Sequence, residues 1–150
     1  MFEELFNKQH YSDFETATAL KSVYPEYACA SIKDKIWFVR IGNKWEQSSM
    51  EFMNKVLFNE LLEECETEKE RLLIDHKKCG DGYCKSILSS SIINLTDAIK
   101  NYSTKAFRNR VIYEWAYIAH DPEFVKKHNL TMYPSLLPLA LARIGYVKKK

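Results

Sequence analysis

Tyr27-Ala-Cys-Ala-Ser-Ile-Lys-Asp-Lys-Ile-Trp-Phe-Val-Arg-Ile-Gly-Asn-Lys-Trp-Glu46 is the one segment of this 150-residue chain that reads clearly as β-structure. Ala28–Ile32 and Ile36–Ile41 are rich in aliphatic and aromatic residues, and the polar Lys33-Asp34-Lys35 connects them. Gly42-Asn43 turns the chain again, and Lys44-Trp45-Glu46 is a short third strand. A ribbon of two or three strands is marginal alone, so Trp37 and Trp45 are expected to anchor it against helices. They are read as core anchors, not as base-stacking platforms.

The surrounding sequence is helical. Ser12 and Glu15 form a capping box for a helix over 12–24 whose apolar face is Phe14, Ala17 and Leu20 with Val23 or Tyr24, stopped by Pro25. Ser48 and Glu51 open the longest helix, roughly 49–74, with a buried stripe of Phe52, Met53, Val56, Leu57, Leu61, Leu62 and Cys65. Beyond Cys65 it turns to Glu66-Thr-Glu-Lys-Glu-Arg71, an end expected to fray or project, where Lys69 and Arg71 offset the repulsive Glu66–Glu70 pair. Asp75–Cys84 reads as a glycine-bearing loop. A third long helix follows from about Lys85 to Tyr102, with Leu88, Ile92, Leu95, Ile99 and Tyr102 at helical spacing. A fourth covers roughly 105–119, capped by Ser103 or Thr104, with Phe107, Val111, Ile112, Trp115 and Ile118 as its apolar face. Asp121-Pro-Glu123 starts a short fifth helix ending near Asn129, and Leu139–Ile144 suggests one more. The fold class is mainly α (α+β), a helical domain with a small antiparallel β-ribbon near its N-terminus, and 1–150 is read as a single domain.

Composition narrows the function classes. Net charge is +2, so no global electrostatic case for nucleic acid exists, and any such case rests on local clusters. No apolar run approaches the roughly 20 residues of a membrane span. The segment Met1–Lys8 is acidic and lacks a signal peptide's apolar stretch, so an intracellular protein is expected, away from membranes. Cys29, Cys65, Cys79 and Cys84 are too few and scattered for a disulfide scaffold, which makes free thiols the expectation.

Catalytic signatures are missing. The four glycines are followed by Asn43, Asp81, Tyr83 and Tyr146, which excludes a Gly-Lys-Ser/Thr phosphate loop. Lys85 stands where a dinucleotide fingerprint after Gly80 and Gly82 needs glycine. No His is followed by Glu, and no Gly-x-Ser-x-Gly elbow occurs. The chain is therefore read as non-enzymatic and without a cofactor. His76, Cys79 and Cys84, with Cys65 upstream, carry zinc-ligand chemistry, but their spacing matches no standard knuckle. Free thiols or a packed loop are the expectation over a metal.

Basic residues cluster modestly. Lys105, Arg108 and Arg110 open the fourth helix, and Lys126, Lys127 and His128 follow in the fifth. Lys105, Arg108, Lys126 and Lys127 are the candidate phosphate contacts, since a few cations on one face suffice. Against this stands the reading of an ordinary solvated face, and Arg108 and Arg110 cannot share one side of a helix.

Tyr27-Ala-Cys-Ala-Ser-Ile-Lys-Asp-Lys-Ile-Trp-Phe38, followed by Lys44-Trp45, resembles the replicative primase–helicases of poxviruses and other large DNA viruses. The resemblance is to the region between their primase and superfamily 3 helicase domains. Tyr11-Ser-Asp-Phe14 leading into Val23-Tyr-Pro-Glu26 fits the same pattern, as does the capped helix after the ribbon. A second block runs from Lys105-Ala-Phe-Arg-Asn-Arg-Val111 to Glu114 and on to Asp121-Pro-Glu-Phe124. Neither block is a catalytic motif. The family continues into an Asn-Gly-Val type segment and a phosphate loop, whereas residues 131–150 contain neither. The resemblance implies a collar or linker module without the ATPase engine, one that assists oligomerisation or guides DNA. The expected function is a non-enzymatic accessory module of viral DNA replication, binding nucleic acid or a replication protein, in host cytoplasm, nucleus or virion. The rival expectation is a viral structural or host-directed interaction protein, marked by an exposed apolar patch and no phosphate affinity.

Overall fold

The computed structural model describes residues 1–132, with the side chains of residues 51, 52, 55 and 56 outside that description. The expected helix over 139–144 lies outside the described residues, as do the side chains of Glu51 in the capping box of the long helix and of Phe52 and Val56 in its stripe. In chain order the elements are α1 (Glu3–Lys8), α2 (Asp13–Val23), β1 (Tyr27–Ser31), β2 (Ile36–Ile41), β3 (Lys44–Ser48), α3 (Met50–Lys78), α4 (Gly82–Tyr102), α5 (Lys105–Ala119) and α6 (Phe124–Lys127).

The three strands form an antiparallel sheet in the order β1-β2-β3. Between β2 and β3 the pairs Ile41–Lys44 and Arg40–Trp45 flank a two-residue turn. Gly42 there has φ +63° with no atom close enough to crowd a Cβ, so the turn needs glycine for its backbone and not for space. Alternation along β2 gives the sheet two apolar faces. Trp37 and its partner Cys29 join the main core, where the Trp37 ring lies 5.0 Å from that of Trp115 on α5. Ile36 and Phe38 point the other way and pack with Phe124 of α6, flanked by Ala28, Ala30 and Trp45. The sheet is thus held between the helical body and α6. Asp121 N–H donates to Cys29 O at 3.1 Å, which leads the chain after α5 back along β1 and delivers α6 to that second face.

In the helical body α2 lies along α5 and α3 along α4. The Ser12 cap forms as read, with Glu15 N–H donating to its Oγ at 3.2 Å. Thr104 caps α5, its Oγ1 accepting from Phe107 N–H at 3.3 Å. Met53, Leu57, Leu61 and Cys65 are buried as expected, and Phe58 joins them.

Four expectations need correction. Phe14 is exposed, and Thr16 takes the interior position beside Ala17 and Leu20, because α2 is rotated to bring its hydroxyl onto Tyr102. Residues 75–78 are helical: α3 runs to Lys78 and α4 starts at Gly82, leaving a turn of only Cys79-Gly80-Asp81. The end of α3 is docked against α4, with Leu72 buried and Arg71 bridging Glu68 and Asp75, so it does not fray. Finally, α6 is a single turn and stops at Lys127. The short α1, with Phe2 and Leu5 buried, carried no capping signal that the sequence reading could use.

Candidate nucleic-acid interface

The four basic residues singled out from sequence do not share a face. Lys105 is exposed at the start of α5. Arg108, one turn on, has its Nε buried without a partner among the described residues, and Arg110 lays its guanidinium over the Phe107 ring at 5.2 Å. Lys127 Nζ pairs with Asp121 Oδ2 at 3.0 Å. That contact holds the Asp121 carboxyl below the usual carboxylate range. Asp121 lies two residues past the far end of α5, so Lys105 and Lys127 are separated by the length of that helix, about 20 Å at 1.5 Å per residue. Lys126 is exposed beside Lys127 on α6.

A different set converges where α6 meets the β2–β3 hairpin. Arg40, Asn43, Lys44, Trp45, His128 and Leu130 line a groove of about 560 Å³. Trp45 is half-buried, perpendicular to the Phe124 ring at 4.7 Å between centroids and 5.5 Å from the His128 ring. Behind them Phe124 contacts His128 at 4.5 Å and Phe38 at 5.5 Å, so a chain of tilted ring contacts leads from the sheet's second face to the surface. Arg40 is exposed, directly opposite Trp45 in the ladder, with its Nε–H donating to Gly42 O at 3.3 Å. Among the described residues, no carboxylate lines the groove. Trp45 is therefore an anchor, as expected, but one with a side open to the groove, whereas Trp37 and Trp115 are fully buried. The turn between Arg40 and Trp45 was legible in the sequence; the arrival of His128 was not.

A second cavity, of about 500 Å³ between α1 and α2, has Glu3, Glu4 and Glu15 among its walls. Those carboxylates repel phosphate.

The zinc-like set does not assemble. Cys65 is sealed in the core, and His76, on α3, shares a hydrogen bond at 3.1 Å with Ser89 of α4. Cys79 and Cys84 are joined as a disulfide across the α3–α4 turn, contrary to the expectation of free thiols. Asp81 lies close to both sulfurs, and its Oδ1 caps α4 by accepting from Cys84 N–H at 2.6 Å. Sulfurs bonded to each other are not the thiolates zinc requires. Cys29 and Cys65 are free and buried, and burial pushes their thiols up to about 11 and about 12.

No family model matches this chain, and no solved structure matches it. Among curated proteins, "Putative helicase L207/L206" of Acanthamoeba polyphaga mimivirus is 31% identical over 100 residues, 67% of this chain and 10% of that protein. The chain thus spans about a tenth of the length of the relative it matches. The similarity is to a helicase-related region of a large DNA virus. Among the described residues, no helix is long and apolar enough to cross a membrane.

Proposed function

We propose that this chain is a non-enzymatic accessory module of viral DNA replication and that it binds nucleic acid. The observation that carries the reading is the 100-residue similarity to a mimivirus protein named as a helicase. The 150 residues contain no phosphate loop, so the role assigned to them is to hold or guide a strand and not to hydrolyse nucleotide. Two pairs of basic residues support it, Lys105 with Arg108 in the first turn of α5, and Arg40 with Lys44 in the groove beside α6. Its place of action is the infected cell or the virion.

The test is binding of the full chain to labelled single- and double-stranded DNA at low and moderate salt. Binding at micromolar concentration or tighter that weakens steeply with salt supports the reading, since phosphate contacts release counterions. No binding at low salt sinks it.

A second reading has its own observation. Leu73 and Ile74 near the end of α3, with Tyr83 and Ile87 near the start of α4, are exposed at the same end of the α3–α4 hairpin. Apolar side chains gathered at a helical tip fit contact with a replication protein, a structural protein or a second copy. Salt-insensitive self-association without DNA binding would favour this reading.

A further inference from the structure

We infer that the groove between the β2–β3 hairpin and α6 is a subsite for single-stranded nucleic acid, in which Trp45 stacks on a base and Arg40 and Lys44 hold the neighbouring phosphates. The inference rests on the nucleic-acid reading above and gives it a place on the molecule.

Single-strand sites combine a cationic track with aromatic rings, because every unpaired base has a free π-face and every linkage a charge. The groove has both. Trp45 is held from beneath, perpendicular to the Phe124 ring at 4.7 Å, and its neighbour His128 is tilted at 45° against the same phenyl ring. A ring held in that way loses little freedom when a base settles on it. Trp45 is also the one tryptophan that a ligand can reach, since Trp37 and Trp115 are 1% and 0% exposed.

The charge is placed by strand register. Arg40 and Trp45 are directly opposed, so their side chains leave the same face of the hairpin side by side. The Arg40 Nε–H bond to Gly42 O holds the guanidinium at the hairpin tip. Lys44 belongs to the other face by alternation, but it forms the last pair before the turn and lines the groove. Glu46, the nearest carboxylate along β3, leaves the face opposite Trp45 and is absent from the lining. Among the described residues the groove is therefore lined by two cationic side chains and no carboxylate.

A duplex is a poor fit, because its bases are stacked on one another and offer no free face to an indole at the bottom of a groove. Single-stranded DNA or RNA meets both requirements.

The experiment uses the full chain and a fluorescein-labelled oligothymidylate of about 15 nucleotides, read by anisotropy across a salt series and by tryptophan emission. The Arg40→Gln/Lys44→Gln double variant changes two exposed side chains. It is expected to bind about tenfold more weakly, with a log–log salt slope shallower by about 1.4, the share of two phosphate contacts on a single strand. Binding is expected to quench tryptophan emission in the parent and not in Trp45→Phe, which keeps an aromatic ring against Phe124. Lys105→Gln/Arg108→Gln is the comparison at the other end of α5. If the parent binds and Arg40→Gln/Lys44→Gln leaves affinity and slope unchanged, the groove assignment is overturned while nucleic-acid binding stands. The same holds if Trp45→Phe retains the full quench. If the parent fails to bind at low salt, both readings fall.

Discussion

Thr16 Oγ1 and Tyr102 Oη lie 2.6 Å apart in a fully buried contact that joins α2 to the last turn of α4 across 86 residues of sequence. Burial also raises the phenol's pKa, so Tyr102 stays protonated and able to donate. A buried hydroxyl that loses its partner bears its full desolvation cost, about 1–3 kcal/mol. Thr16→Val is expected to destabilise the protein by that amount, read as a lower urea midpoint with an unchanged slope. Adding Tyr102→Phe should recover part of the loss, because no polar atom then remains unpartnered. Single variants as stable as the parent would show that the contact contributes nothing.

Phe124 is the wedge of the second face, 4% exposed, with rings of Phe38, Trp45 and His128 within 5.5 Å. Phe124→Ala is expected to cost about 3 kcal/mol, the lower end for a buried phenylalanine, since this cluster lies at the edge of the molecule. The loss should be local in character. Amides of β3 should exchange faster and Trp45 emission should move to the red, while the main core around Trp37 and Trp115 keeps its protection. Equal loss of protection in both regions would contradict the division into two clusters.

Alkaline pH should weaken the fold. Burial favours the neutral thiols of Cys29, at about 11, and Cys65, at about 12, and it pushes the phenol of Tyr11 to about 12. Each group's folded value exceeds its unfolded one, so the unfolded chain loses its protons first. Their stabilisation is complete below about pH 8.5, where unfolded cysteine begins to ionise, and is lost as pH rises toward 11–12. Urea midpoints should be level between about pH 7 and 8 and should fall from about pH 9 upward. A level midpoint through pH 10.5 would refute this.

Thiol counting separates the cysteines. Denatured chain without reductant should show two reactive thiols, Cys29 and Cys65, and four after reduction. The native protein should show none, because both free cysteines are fully buried. Four thiols without reduction would remove the Cys79–Cys84 bridge.

Much of the architecture was legible because its signals are local. The caps at Ser12 and Thr104 act within one helical turn, and the three strands follow from β-branched and aromatic residues between turn formers. The helical spacing of Leu88, Ile92, Leu95, Ile99 and Tyr102 placed α4 correctly, though Gly82 and Asp81 start it earlier than a glycine-rich segment suggests. There the Asp81 carboxylate overrides glycine's poor helix propensity by capping Cys84. Phe14 misled because α2 has apolar residues on two sides, and only docking decides which side faces in.

By itself the sequence determined most of the element types, the Gly42-Asn43 turn and the absence of a phosphate loop, all consequences of neighbours within a few residues. The tertiary structure alone decided which distant groups meet. It folds α6 back onto the second face of the sheet and brings His128 to Trp45, and it leaves Lys105 and Lys127 at opposite ends of α5. The reason is physical: capping and periodicity act over one turn, whereas convergence depends on how whole helices pack to bury their apolar faces.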